Sequence, residues 1–137
     1  MDDKGRVVLP IPFRSPDVKS FVVMLNVDLA IRVYTEEGFR AMASRVQQKI
    51  HETSDPRLRR IWGSIAHVNI DATHRFMIPD VHRSYALIAT PSRVVLLGTG
   101  SHFEVWSHVE YYKYAQQTFK QEIVGPAAEA AGVPEIV

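Results

Sequence analysis

Two segments of this chain carry the same arrangement of an acid, a base, a proline and a second base, each four residues apart. The arrangement occurs first as Asp2, Arg6, Pro10 and Arg14, and again later as Asp71, Arg75, Pro79 and Arg83. Arginine presents a planar fork of donors that matches the oxygens of phosphate and the edge of guanine. The arginines of the two segments, with Lys4 near the first, therefore indicate basic arms that bind a polyanion.

The repeated Asp–Arg spacing can also be explained by structure alone. If the chain turns at Lys4-Gly5, Asp2 and Arg6 can form an ion pair that holds the turn, because glycine allows tight turns with positive φ. His74 replaces this glycine in the second segment, where we expect either strain or another conformation. Both interpretations can hold at once, since a carboxylate that orients an arginine leaves the other donors of the guanidinium free.

The similarity continues beyond the two segments. The apolar runs 22–25 and 94–97 align, and each is followed by turn residues and a second run with β character. Residues 22–34 and 94–106 are therefore predicted as β-hairpins. Such an internal repeat predicts that the chain is built from two related units.

Further strands are predicted around the charged segments. Short apolar runs at 7–9 and 76–78 end at prolines, which cannot donate to a sheet. Residues 64–71 alternate between apolar and polar side chains and are predicted as a strand that leads into the second segment. The first segment has no such strand, because Met1 stands in the place of Ile70. We expect that the natural chain begins before Met1 or that it has been shortened there, since a missing strand leaves an unpaired sheet edge.

Three helices have recognisable starts. Thr35 and Ser107 are predicted N-caps, and apolar residues at helical spacing follow each of them. Asp55 followed by Pro56 predicts a short third helix that ends near Gly63. The segments 15–21 and 84–93, which link the charged segments to the hairpins, are predicted as loops or short turns.

These elements divide the chain into three parts. Residues 1–54 are the first repeat, residues 55–124 are the second repeat with a connecting helix, and residues 125–137 are predicted to be a loosely ordered tail. We expect the two repeats to form one compact domain.

Composition excludes several classes of protein. Hydrophobic residues make up 46% and charged residues 23%, as in ordinary globular proteins, and no apolar run is long enough for a membrane helix. The absence of cysteine excludes disulfides, thiolate metal sites and cysteine nucleophiles, and a cytoplasmic location is expected. Because the net charge is only +1, any affinity for nucleic acid must come from a local patch.

The segments "DDKGRVVLP" and "DATHRFMIP", each followed by a further arginine, resemble the D-x-x-x-R signature of the MraZ family. The stretch "YALIATPSRVVLLGTGSHFEVWSHVEY" is also similar to that family. The resemblance covers about residues 1–124. It implies a mainly β fold with flanking helices (α+β), built as a tandem pseudo-repeat of AbrB/MazE-like swapped-hairpin β-barrel units.

The resemblance also implies a function. Members of this family are DNA-binding transcriptional regulators of the division and cell-wall gene cluster, form ring-shaped homo-oligomers, and bind short direct repeats upstream of their own operon. It implies a cytoplasmic, nucleoid-associated protein that is not an enzyme and needs no cofactor. The positions that match the family's DNA-facing basic residues are Lys4, Arg6, Arg14, Arg75 and Arg83. The remaining motif positions are Asp2, Gly5, Pro10, Asp71, His74 and Pro79.

Two other classes of protein also match parts of the sequence. Asp71, His74, Asp80 and His82 lie close together in sequence, as a metal-dependent hydrolase would require, but their spacing matches no recognised metal site. AbrB-type units also serve as antitoxin-like or scaffolding modules that bind another protein. Two full copies and a weak tail make this second alternative less favourable.

Overall fold

The computed structural model describes residues 1–53, 55–120 and 134–136. Its strands are β1 (Arg6–Val8), β2 (Ser20–Leu25), β3 (Ile31–Tyr34), β4 (Ala66–Asn69), β5 (Arg75–Met77), β6 (Val94–Gly98), β7 (Phe103–Ser107) and β8 (Pro134–Ile136). Its helices are α1 (Glu36–Thr53), α2 (Pro56–Gly63), α3 (Asp80–Tyr85) and α4 (His108–Lys120), and a 3-10 turn covers Ile11–Phe13. None of the helices in these ranges combines the length and apolar character of a membrane span.

The strands form two separate antiparallel sheets. Six of them make one sheet in the order β4-β2-β3-β7-β6-β8, while β1 and β5 pair as a two-stranded ribbon. This strand-rich architecture with flanking helices confirms the predicted α+β fold class. Both predicted hairpins are present, as the pairs β2-β3 and β6-β7.

The large sheet is buried on both faces, which explains why its central strands are continuous apolar runs. On one face, the ribbon residues Val7 and Phe76 join the main hydrophobic core. The rings of Phe21 and Phe103 meet Phe76 edge to face, with centroids 5.3 and 6.1 Å away. The ribbon is thus fixed to the sheet by aromatic packing in addition to its own hydrogen bonds.

Helices α1, α2 and α4 cover the opposite face of the sheet. Phe39 and Met42 of α1 pack against a cluster that includes Tyr34 of β3. Tyr114 of α4 stacks on the buried ring of Trp106, with centroids 4.8 Å apart. The sheet therefore separates the ribbon from these three helices, whereas α3 lies beside the ribbon.

Local sequence signals are confirmed at the helix starts. Gly38 N–H donates to Thr35 Oγ1 at 3.1 Å, and Arg57 N–H donates to the Asp55 carboxylate at 2.9 Å. The alternation predicted in 64–71 is also confirmed, because Ala66 and Val68 face the core.

Two elements of the structure lie outside the predicted helices and strands. Helix α3 begins directly after Pro79, and two of its side chains are hydrogen-bonded to distant backbone carbonyls. Beyond Tyr85, the linker predicted over 84–93 consists of turns and loop, as expected. Residues 134–136, predicted as part of a loose tail, form β8 on the outer edge of β6, with Leu96 opposite Glu135. An unpaired strand edge favours such pairing, and Pro134 is tolerated there because an edge strand can lack a donor. The rest of that tail lies outside the described residues.

Helix α3 is held in place by a buried histidine and a tyrosine. The His82 side chain is 5% exposed, and its Nε2 donates to the carbonyl of Ser64 at 2.7 Å. Tyr85 donates its hydroxyl hydrogen to the carbonyl of Asn26, also at 2.7 Å. Because a carbonyl can only accept, the Nε2 atom of His82 carries a proton. Burial lowers the pKa of His82 below its ordinary value, which favours the neutral imidazole.

We expect the protein to lose stability as the pH falls below about 6.5, where a histidine in the unfolded chain begins to bind a proton. The unfolded state takes up that proton first, since the folded pKa of His82 is lower. Urea unfolding at neutral and mildly acidic pH would measure the change in the free energy of unfolding. His82→Gln, which cannot titrate, should show a smaller change, and equal changes in both proteins would contradict this role of His82.

Candidate nucleic-acid interface

The first charged segment folds as a tight turn around one carboxylate. Asp2 Oδ1 accepts from the backbone N–H groups of Lys4 and Arg6, at 3.0 and 2.8 Å. Asp2 Oδ2 accepts from the Arg6 side-chain Nε at 2.7 Å. The carboxylate therefore holds both the backbone of the turn and the direction of the arginine.

The second segment makes the same bonds. Asp71 Oδ1 accepts from the backbone N–H groups of Thr73 and Arg75, both at 2.9 Å, and Asp71 Oδ2 accepts from Arg75 Nε at 3.1 Å. In both turns the arginine is bonded through Nε. Among the described residues, neither Arg6 nor Arg75 has a hydrogen bond from its terminal guanidinium nitrogens. The two interpretations of the Asp–Arg spacing are thus compatible, because the ion pair leaves donors available.

These hydrogen bonds also stabilise the charge of each carboxylate. The backbone N–H of Arg6 is the largest contribution that lowers the pKa of Asp2 to about 2, and the backbone N–H of Arg75 has the same part in lowering the pKa of Asp71 to about 2. A lowered pKa means that support from the carboxylate is lost only as the pH falls toward 2. Both turns keep their geometry at any pH near neutrality.

The two turns are brought together by the ribbon. Arg6 lies opposite Met77, Val7 opposite Phe76, and Val8 opposite Arg75. Since successive side chains of a strand alternate, Val7 and Phe76 point to the core and the other four residues point outward. One outer face therefore displays Arg6 and Arg75 beside two apolar side chains.

Those apolar residues, Val8 and Met77, are each 49% exposed and were not predicted as site residues. Side chains of a strand alternate between its two faces, so the neighbours of a buried Val7 or Phe76 must point outward. That alternation is the sequence signal that would have identified Val8 and Met77. Each lies opposite an arginine of the other strand.

The remaining predicted residues lie around this face. Lys4 is exposed at the tip of the first turn, and Pro10 and Pro79 end the two strands in extended conformations. Arg14 and Arg83, although equivalent in sequence, have different environments.

Arg83 crosses the first turn directly above Gly5. A Cβ at position 5 would overlap the guanidinium of Arg83, with its Cζ only 2.6 Å away, so any other residue there would displace the arginine. Gly5 also has φ of +83°, a conformation that favours glycine. The Arg83 side chain is only 16% exposed and pairs with Asp80 at 3.3 Å. Arg83 of the second segment therefore supports the turn of the first.

The second turn carries a side chain where the first has glycine. His74 has φ of +61°, so it adopts the left-handed conformation of Gly5 despite that side chain. Arg14 donates from Nε to the carbonyl of Leu9 at 2.7 Å and stays exposed. The two turns have the same Asp–Arg bonds. They differ in the second arginine of each segment, because Arg83 is largely buried over the first turn and Arg14 is exposed.

Replacing Gly5 with alanine should destabilise the protein by about 1–2 kcal/mol, the cost of a left-handed residue with a Cβ. It should also displace Arg83 and loosen the first turn. The matched variant His74→Gly relieves strain at the equivalent position, so its effect should stay within about 1 kcal/mol because glycine has its own entropic cost. Chemical denaturation of both variants would measure these changes. An equal loss of stability in the two would contradict the asymmetry.

The residues of the hydrolase alternative do not converge. Asp71 is bonded within its turn, Asp80 pairs with Arg83, and His82 is bonded to a backbone carbonyl. Over the described ranges, no group of three or more histidine, cysteine, aspartate or glutamate side chains is arranged to hold a metal ion.

Comparison with known proteins identifies the family. A family model described as "MraZ protein, putative antitoxin-like" matches residues 63–132, just over half of the chain.

Proteins named "Transcriptional regulator MraZ" are similar to this chain over most of their length. The one from Moorella thermoacetica is 27% identical over 123 residues, covering 88% of this chain and 85% of the relative. The one from Mycobacterium avium is 28% identical, covering 96% and 92%. The one from Stenotrophomonas maltophilia is 30% identical over 133 residues, covering 91% and 88%. Since the family model matches more than half of the chain and the relative from Stenotrophomonas maltophilia is 30% identical over most of both chains, this chain belongs to the MraZ family.

Proposed function

We propose that this protein is a sequence-specific DNA-binding transcriptional regulator that contacts duplex DNA with the outer face of its β1-β5 ribbon. Its relatives are named as transcriptional regulators, which agrees with the prediction that the chain is not an enzyme. The observation that carries the proposal is the pair of arginines on one exposed face, each oriented through Nε by an aspartate. Each arginine keeps its terminal nitrogens for a partner.

The two-stranded form of the ribbon suits the major groove. The groove admits a two-stranded β-ribbon, and arginine commonly makes two hydrogen bonds to the O6 and N7 atoms of guanine. Val8 and Met77 lie opposite Arg75 and Arg6, where apolar contact with the methyl group of thymine adds a second element of recognition. We assign base readout to these four residues.

The other basic residues bind the backbone. Lys4 at the exposed tip of the first turn and Arg14 beside Leu9 reach phosphates, which fix the position of the protein without selecting sequence. Arg83 acts on DNA indirectly, because it is largely buried over Gly5 and positions the first turn. The first turn therefore makes the stronger contact.

A net charge of +1 supports only weak binding by a single copy. A ring-shaped homo-oligomer would overcome this limit, because linked copies bind successive sites at high effective concentration when the spacing of the DNA sites fits. Short direct repeats upstream of the protein's own operon, within the division and cell-wall gene cluster, would provide that spacing. This role places the protein in the cytoplasm in association with the nucleoid.

Fluorescence anisotropy with duplex DNA from upstream of the protein's own gene tests the proposal. A shuffled duplex of equal composition is the control, and both are titrated across salt concentrations. We expect tighter binding to the upstream duplex, with affinity that falls as salt rises. Equal affinity for the two duplexes would overturn sequence-specific binding and favour the antitoxin-like alternative, in which the ribbon binds a protein.

A further inference from the structure

A second group of basic side chains lies on the helix side of the sheet, away from the ribbon. There, a cleft of about 570 Å³ opens between β3, the first half of α1 and the turn before β7. Its polar lining includes Arg32, Tyr34, Glu37, Arg45, Ser101 and His102. The volume is in the range of pockets that bind small molecules.

The two arginines of this cleft make no hydrogen bond within the described residues, although the carboxylates of Glu104 and Asp28 lie near enough to attract the charge of Arg32. Arg32 Nε is buried and makes no hydrogen bond within the described part of the chain. Arg45 is exposed on α1 and forms no ion pair with any described residue. A buried donor without a partner carries a desolvation cost, which a bound acceptor would remove.

A neighbouring carboxylate balances part of this charge without a hydrogen bond to Arg32. Glu104 lies opposite Arg32 on β7, and its Oε1 accepts from the indole nitrogen of Trp106 at 3.0 Å. Its Oε2 lies 3.7 Å from His102 Nε2, within ion-pair distance, while His102 Nδ1 lies 3.0 Å from Ser101 Oγ. Glu37 at the rim is exposed. His102 is therefore engaged by its neighbours, whereas the guanidinium groups of Arg32 and Arg45 have no hydrogen bond among the described residues.

We propose that this cleft binds a small molecule that carries a phosphate group. Arginine forms paired, charge-assisted hydrogen bonds with phosphate oxygens, and Arg32 and Arg45 supply two such forks on one cleft. His102 and the hydroxyl group of Ser101 stand beside them. Because the sheet separates the cleft from the ribbon, this site is distinct from the proposed DNA contact.

Isothermal titration calorimetry of the full chain would test the site, with inorganic phosphate in one arm and adenosine monophosphate in another. Sodium chloride at matched ionic strength controls for general charge effects. We expect saturable binding in at least one arm. Tighter binding of the nucleotide would identify a phosphorylated metabolite as the ligand, and binding in the phosphate arm alone would identify the free ion.

Arg45→Ala is the decisive variant because Arg45 is exposed and its removal should leave the fold intact. It should weaken binding by about tenfold, the effect of losing one hydrogen bond to a charged group. Arg40→Ala, on an exposed position of the same helix outside the cleft, should bind like the wild type. Absence of saturable binding by the wild type, or equal weakening by Arg40→Ala, would overturn the proposal. A loss of DNA affinity in Arg45→Ala without any small-anion binding would also overturn it and assign the cleft to DNA.

Discussion

Arg6→Ala should reduce the affinity for upstream DNA by about a hundredfold, the largest functional effect that we expect from a single substitution. One arginine bonded to guanine through two donors contributes about 1–3 kcal/mol of discrimination. In a ring, the loss is repeated in every subunit that contacts DNA. Anisotropy with the upstream and shuffled duplexes would measure both affinity and preference.

The matched variants separate base contact from general charge. Lys4→Ala should weaken binding to both duplexes alike and lower the salt slope by about one, as expected for a phosphate contact. Arg6→Lys retains the charge but loses the planar fork, so we expect its preference for the upstream duplex to fall. If Arg6→Ala instead weakened both duplexes equally, Arg6 would be a phosphate contact and the proposed base readout would be wrong.

The second turn provides a further comparison. Arg75 has the same Nε bond to its aspartate as Arg6, but its turn carries His74 in place of Gly5, and Arg14, the equivalent of Arg83, is exposed. We therefore expect Arg75→Ala to reduce affinity less than Arg6→Ala does. Equal losses would show that the contact between Arg83 and Gly5 has no effect on DNA binding.

Phe76→Ala should destabilise the protein by about 3–5 kcal/mol, the usual cost of removing a buried aromatic ring. Phe76 is 1% exposed and packs edge to face with Phe21 and Phe103, so its removal leaves a cavity where the ribbon meets the sheet. Since domains of this size are stable by only about 5–15 kcal/mol, much of the total would be lost. Urea denaturation would measure the change.

Met77→Ala is the neighbouring control. Met77 follows Phe76 directly in β5 but is 49% exposed on the outer face, so we expect a change in stability within about 0.5 kcal/mol. The same variant should weaken the preference for the upstream duplex if its side chain contacts a thymine methyl group. A large loss of stability in Met77→Ala would contradict the outward direction of this side chain.

Local patterns in the sequence were sufficient to predict most elements. Caps at Thr35 and Asp55, together with apolar runs at 22–25 and 94–97, predicted helices and hairpins that the structure contains. Such signals depend on neighbouring residues, whose interactions are set by backbone geometry alone. The Asp–Arg ion pair was likewise readable from its spacing, because both partners belong to one turn.

Contacts between distant segments were not readable in the same way. Helix α3 and strand β8 were missed, since each depends on partners far along the chain: Ser64 and Asn26 for α3, and β6 for β8. The outward position of Val8 and Met77 became clear only once β1 was paired with β5. Three-residue strands carry too little periodicity to specify their partner.

The sequence by itself determined the two Asp–Arg turns, the local elements and the family resemblance. Only the tertiary structure decided that the turns share one exposed ribbon face, and that Arg83 crosses Gly5 while Arg14 bonds to Leu9. The physical reason is that the equal spacing of Asp and Arg gives both segments the same hydrogen bonds within each turn. Contacts with distant segments depend instead on which side chains pack around each turn. Arg83 and Arg14 hold equivalent places in the repeat, yet Arg83 is largely buried over the first turn and Arg14 is exposed.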